Sequence, residues 1–303
     1  MARRVSPLLI LAFAVVAVAH GAIFVRLADG AEPLAIAAWR LSLATAIVAP
    51  LALVFGREAF KGITRRDLLL TLAAGGLLAG HFATWISSLE YTSISNSVLL
   101  VSTAPVWVAV IGRMTGTVQL SGLMISAIGL SLIGSAIIAG GSVALGRYSL
   151  RGDLLALLGA VCMGAYLLTA QRIQRRLAFG PYVALVYASA AAWLWIAALA
   201  SGTRMRGFES QTWWALAGIA VVSQVIGHSG YNFSLRQLRP EFVAVTLLGE
   251  PILASLLGWI LFYEPVPPLT IGGGLLVLFA IMLAARAPAR RAGAERRPVR
   301  HDR

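Results

Sequence analysis

Ten apolar runs, separated by short polar turns, constrain this chain more tightly than any other feature. They fall at about 6–26, 33–53, 68–88, 94–112, 120–139, 153–171, 182–200, 212–235, 241–262 and 268–285. Runs of about 17 to 25 residues, wound as α-helix, are long enough to cross the hydrocarbon core of a bilayer. Hydrocarbon offers the backbone no hydrogen-bond partner, and a helix satisfies its own N–H and C=O groups within one segment. Composition agrees. Of 303 residues 59% are hydrophobic and only 12% are charged, against roughly 25% charged in soluble domains. The fold class expected is all-α integral membrane, with ten transmembrane helices.

The formal net charge of +13 does not point to nucleic acid. The arginines lie between apolar runs instead of forming one basic face interleaved with aromatics. A single cysteine, Cys162, sits inside an apolar run, so no disulfide framework, CxxC pair or zinc cluster can be built. No cofactor and no metal site is expected.

The distribution of basic residues sets the orientation. With the N-terminus inside, the inner segments hold Arg3, Arg4, Arg57, Lys61, Arg65, Arg66, Arg113, Arg172, Arg175, Arg176, Arg236 and Arg239, with seven more after 285. The outer loops hold Arg26, Arg147, Arg151, Arg204 and Arg206, and Arg40 lies within a span. Both termini are therefore expected on the cytoplasmic side. The start, MARR and an apolar run ending in Ala17-Val18-Ala19, also resembles a cleavable signal peptide. A retained first helix is the better reading, because cleavage would break an internal repeat.

That repeat appears at a shift of about 147 residues. Gly80-His81 falls on Gly227-His228, Pro105 and Gly112 fall on Pro251 and Gly258, Gly129 falls on Gly274, and Gly21-Ala22 falls on Gly164-Ala165. Each half then carries five helices, and an odd number places the second half upside down relative to the first. The expected organisation is an N-terminus at 1–5, a first five-helix repeat at 6–139, a linker at 140–152 on the outer side, a second repeat at 153–285 and a basic tail at 286–303. At the helical rise, His81 lies about 20 Å along a helix entering from the cytoplasm and His228 roughly 23 Å along one entering from outside. This reading places the pair on opposite sides of the midplane, both facing inward. Helices 3, 4, 8 and 9 are expected to surround a central cavity.

Three stretches carry a family resemblance: AAWRLSLATAI at 37–47, SNSVLLVSTAPVWVAVIG at 95–112, and LLGEPILASLLGWILFYEPVPPLTIGGGLLVLFAIM at 247–282. With these the chain resembles the drug/metabolite transporter superfamily, in particular the EamA-type ten-helix permeases, over about 8–139 and 152–285. Glu250-Pro251 and Glu264 match the pattern of the second repeat. The first repeat departs from it, since RMTGTVQ at 113–119 lacks the glutamate that often follows helix 4. The resemblance implies carriage of small metabolites, often export, across a bacterial inner membrane. The partners implied are a small-molecule substrate and the lipid bilayer. The gradient that would drive transport, of protons or of sodium, and the oligomeric state stay open.

Ionisable and polar side chains inside spans are costly, so each is a candidate for function. Arg40 is either an anchor for a substrate carboxylate, a partner for Glu250, or a cation snorkelling to the outer interface. Glu250 sits near the middle of its helix. Pro251 removes a backbone donor there and is expected to free the carbonyl of Leu247, while Pro105 marks the equivalent break in the first half. His81 and His228 are either binding or proton-relay groups, or satisfied imidazoles beside glycines at close helix crossings. Trp85, Tyr231 and Asn232 lie near the histidines in sequence and are candidates to line the cavity, with Trp39, Tyr166 and Tyr187 as weaker ones. Gly272-Gly273-Gly274 lacks the Lys-Ser/Thr of a phosphate-binding loop and reads as helix packing.

One reading from another class competes. Gly227-His228-Ser229-Gly230 matches the Gly-x-Ser-Gly of intramembrane serine proteases, with His81 or His20 as base. The position equivalent to Ser229 in the first half is Phe82, and inverted repeats are not a protease trait. The transporter is the preferred reading and no catalytic residue is expected.

Overall fold

The computed structural model describes residues 6–91, 94–117, 119–143, 150–263 and 268–286. Among them run ten helical spans. We label them α1 (Pro7–Ala19 and Gly21–Leu27), α2 (Pro33–Gly56), α3 (Arg65–Ser88), α4 (Ile94–Val101 and Ala104–Met114) and α5 (Gly122–Val143) in the first half. The second half holds α6 (Leu150–Gln174), α7 (Phe179–Ala200), α8 (Ser210–Gly218, a π-helical stretch Ile219–His228, and Ser229–Ser234), α9 (Pro240–Thr246, a 3₁₀ turn Leu247–Gly249, and Glu250–Phe262) and α10 (Pro268–Arg286). α5 and α6 continue past the expected ends at 139 and 153. Glu264, the outermost parts of the expected linker, the tail after Arg286 and residues 1–5 lie outside the described residues.

α1, α2, α3, α6, α7 and α9 are each long and apolar enough to cross a membrane, and no more than half of any of their apolar stretches is buried. The remaining faces carry exposed Phe13, Val54, Phe55, Ile196, Leu199, Trp214 and Leu261. Water would penalise such a surface, and lipid does not. α4, α5 and α10 contribute shorter apolar stretches, Ala104–Met114, Gly122–Gly134 and Ile271–Leu283. The chain is thus an all-α membrane protein of two inverted five-helix repeats.

The repeat governs the packing. α2 packs on α7 and α5 packs on α10, so each of these pairs joins equivalent helices of the two halves. α3 packs on α6 and α8 packs on α1, and exchanging the halves converts one pair into the other. The ends obey the same rule. The start of α3 is capped by Thr64 and Asp67, and Asp67 Oδ1 accepts from Arg176 Nε beyond α6 at 2.9 Å. At the opposite end, Thr212 Oγ1 near the start of α8 donates to Asp29 O beyond α1 at 2.6 Å.

Small residues permit these approaches, as expected where apolar surface alone gives helices little reason to associate. A Cβ on Gly227 would meet Val18 Cγ2 of α1 at 2.5 Å, and one on its repeat equivalent Gly80 would meet Cys162 Sγ of α6 at 3.2 Å. In the triple-glycine run, Gly273 offers its carbonyl at 2.8 Å from where a Cβ of Gly134 in α5 would stand, whereas Gly272 faces open space. Close packing therefore accounts for part of that run only.

One glycine pair breaks the symmetry. A Cβ on Gly164 of α6 would meet Trp107 Cβ at 2.8 Å and Val108 N at 3.0 Å, so α4 lies hard against α6. At Gly21, its equivalent in α1, the three nearest atoms belong to Trp85 of α3 and Ser223 of α8, at 3.5 to 3.9 Å. The two halves share a plan and differ in shape.

Gly227→Val is expected to destabilise the protein by about 1–3 kcal/mol through overpacking of the α1–α8 crossing. Gly272→Val, into open space, should leave stability nearly unchanged. Thermal unfolding of both variants in one detergent measures the difference.

Candidate functional site

Polar side chains from both halves converge at the centre of the protein. A cleft with a cavity of about 40 Å³ is lined by Arg40 of α2, His81 and Trp85 of α3, Pro105 of α4, and His228, Tyr231 and Glu250 of α8 and α9. Val18, Phe82, Val101, Met163 and Leu248 supply much of its apolar wall. The expectation that α3, α4, α8 and α9 surround the cavity holds, and α1, α2 and α6 complete the wall.

His81 and His228 face inward and lie close together, their ring centroids 6.3 Å apart. Residues on helices of the two halves thus meet in one space. The residues leading to His228 are π-helical, and their wider turns advance less per residue than the regular α-helix that carries His81. His81 Nδ1 lies 3.0 Å from Gly159 O, so that nitrogen carries the proton and Nε2 is left as an acceptor. The His81 ring stacks parallel to Trp85 at 6.2 Å. His228 packs edge-on to Phe82 at 4.9 Å and lies 4.7 Å from Tyr231.

Arg40 is fully buried, which rules out snorkelling to the interface. Its Nε donates to Gln224 Oε1 at 2.7 Å, and its guanidinium carbon lies 3.9 Å from the centroid of Phe82. No ion pair joins it to Glu250 among the described residues. Both charges border the same cavity, and each remains open to a third party.

The helix breaks beside the site are closed differently from the sequence expectation. Pro251 leaves no carbonyl of Leu247 idle, because the chain tightens into a 3₁₀ turn and Glu250 N–H donates to Leu247 O. Pro251 itself is buried behind the lining. In α4 the corresponding interruption falls at Ser102-Thr103, where Thr103 N–H donates to Leu100 O.

Asn232 does not line the cavity. It follows Tyr231 by one residue, and a helix turns by about 100° per residue, so it points into a buried polar network. Its Oδ1 accepts from Tyr166 Oη at 2.8 Å and from Tyr182 Oη at 3.4 Å. Tyr187 belongs to a neighbouring part of that layer, donating to Gln224 O at 3.3 Å. Trp39 lies apart from the cavity, donating to Met205 O at 2.7 Å and packed edge-on against Trp195 and Trp213. Ser97 bonds Ser88. The hydroxyl of Ser229 lies 3.0 Å from Tyr187 Oη and 3.4 Å from Gln224 O, with no imidazole among these partners.

Gln224 is the residue that sequence reasoning missed. An amide in the middle of the apolar run IAVVSQVIGH is a detectable anomaly, four residues before His228.

A polytopic helical protein whose two inverted halves enclose a central, partly charged cleft has the architecture of a small-molecule carrier. The sequence profile of the EamA-like transporter family matches residues 5–140 and again 150–286. The chain belongs to that family, and is therefore a membrane transporter and not an enzyme. It is 28% identical over 228 residues to the "Uncharacterized transporter YxxF" of Bacillus subtilis (strain 168), covering 72% of this chain and 70% of that one. A solved structure titled only "Crystal structure of protein" superposes with a TM-score of 0.76 at 16% identity, over 93% of this chain and 96% of the other. At that identity the likeness speaks for the fold alone.

Proposed function

We propose that this protein is a secondary transporter that exports small amphipathic metabolites, such as amino acids or related compounds, across a bacterial inner membrane by alternating access. The observation that carries this reading is the central cleft, to which the first half contributes Arg40, His81 and Trp85 and the second His228, Tyr231 and Glu250. Residues 6–139 and 153–285 are the two moving units, and Arg40, Glu250 and the histidines are the binding or coupling groups. The drive is a proton or sodium gradient or substrate exchange.

The broken symmetry at Gly164 and Gly21 supports alternation. Inverted halves reach the opposite-facing state when each takes the other's shape. α9 would then close on Gly21 and α4 would leave Gly164. Gly164→Val should disfavour the present state and Gly21→Val the opposite one. Each is expected to reduce transport severalfold or more. Accessibility of a cysteine placed in the cleft to a membrane-impermeant reagent should shift in opposite senses in the two variants. Shifts in the same sense would dismiss the exchange.

Glu250 is proposed as the acidic group most important to transport. Glu250→Gln keeps its shape and removes its charge. Uptake into proteoliposomes should fall at least tenfold, corresponding to about 1.4 kcal/mol on the limiting step, with folding near normal. Unchanged uptake would refute this role.

Both termini are proposed to be cytoplasmic, from the bias of Lys and Arg to the inner segments. A reporter fused after Arg303 that works only in the cytoplasm supports this topology, and one active only in the periplasm reverses it.

A further inference from the structure

A second space lies away from the central cleft, on the flank where α2 and α7 meet. The two helices touch where Gly180 packs on Ala52, since a Cβ on Gly180 would stand 3.3 Å from Ala52 Cβ. Beyond that contact Gly56, Ala59 and Ala178 have little or no side chain to fill the gap, and a Cβ on Gly56 would meet nothing within 4 Å. The result is a crevice with a cavity of about 430 Å³, walled by Val48, Leu51 and Phe55 of α2, Val183 of α7, and Val225 and Ser229 of α8. Phe55 is 84% and Leu51 51% exposed, so the crevice opens on the surface that faces lipid. Among the lining residues Ser229 alone has a polar side chain, and its hydroxyl already lies 3.0 Å from Tyr187 Oη. The interior therefore asks for an apolar occupant.

We propose that this crevice holds one anionic phospholipid, with an acyl chain laid between α2 and α7 and its phosphate at Arg57 and Arg175. The length suits a chain. Val48 to Gly56 covers about 12 Å at the helical rise, close to half of a hydrocarbon core about 30 Å thick. The crevice thus runs through one leaflet, from the helix ends toward the midplane. The volume suits it too. A methylene is about the size of a water molecule, and at about 30 Å³ each the cavity takes roughly fourteen such groups. The charge at the mouth suits the head. Arg57 follows the lining residue Gly56, Arg175 stands three residues before the lining residue Ala178, and both are exposed. The carboxylates of the α2–α3 connection are engaged elsewhere, Glu58 with Lys61 at 2.7 Å and Asp67 with Arg176 at 2.9 Å. Among the described residues no ion pair uses Arg57 or Arg175. Two free guanidinium groups match the planar, bidentate recognition of a phosphate. In the topology proposed above this mouth faces the cytoplasm, the leaflet whose surface is negatively charged by its lipids.

The test uses the full chain, freed of lipid in detergent micelles, and counts bound lipid by native mass spectrometry. The probes are phosphatidylglycerol and phosphatidylcholine with sixteen-carbon chains, phosphatidylglycerol with eight-carbon chains, and glycerol 3-phosphate. One copy of long-chain phosphatidylglycerol should bind about tenfold more tightly than each of the other three. Ala178→Trp fills the mouth of the crevice. Ala178 is exposed and gives α7 no side-chain cap, so the melting temperature of the lipid-free protein should hold while the tight copy is lost. Leu199→Trp, on the same helix, 66% exposed and outside the crevice, should keep the tight copy. Arg57→Gln combined with Arg175→Gln should cut the preference for the anionic head to less than about twofold. No tight copy, its survival in Ala178→Trp, its loss in both tryptophan variants, or an unchanged head preference in the double variant would overturn the proposal. Equal binding of glycerol 3-phosphate would reduce the site to an anion site without a chain and overturn it as well. A dimer that Ala178→Trp dissolves, with no lipid retained, would give the crevice to a second copy of the chain instead. If Ala178→Trp does not fold, Leu51→Trp takes its place with the same outcomes.

Discussion

Lipid offers the chain no hydrogen-bond partner, and nearly every arrangement in this protein follows from that. The backbone closes its bonds within helices. Where Pro251 and Pro105 forbid an ordinary turn, 3₁₀-type bonds take over beside them. Side-chain hydroxyls are handled the same way: Ser42, Thr45 and Thr84 return their protons to carbonyls one turn back in their own helices. With local needs met locally, the polar groups that no helix can satisfy have one place left to go, the space between the halves. The site is where those groups collect.

The same constraint explains how much of the fold was legible in the sequence. Spans are written in one-dimensional hydropathy, and all ten appear close to their expected places. The repeat was legible because close crossings admit only small residues, so Gly80 and Gly227 mark the α3–α6 and α8–α1 contacts. Charge inside an apolar run is equally conspicuous, and Arg40, Glu250, His81 and His228 do line one cleft.

What sequence reasoning lost depends on helix winding and on facing. Asn232 and Tyr231 are neighbours in the chain, yet one faces a tyrosine layer and the other the cleft. A hydropathy profile carries no angle. The π-helical winding that leads to His228 is not written in composition. Gln224 has no mark in the sequence that ties it to Arg40, and only the geometry shows that its Oε1 accepts from Arg40 Nε. Proline chemistry pointed to a freed carbonyl at Leu247, whereas the backbone path tightens so that Glu250 N–H takes it up.

The π-helical stretch Ile219–His228 has a consequence for the duplication itself. Its counterpart around Gly80-His81 is ordinary α-helix over the whole of α3. The two copies have therefore diverged in pitch where their residues still agree. Straightening α8 into a regular helix would lengthen it and turn every later side chain. The two histidines thus meet across copies of unequal winding, one carried on a regular α-helix and the other at the end of a π-helical stretch.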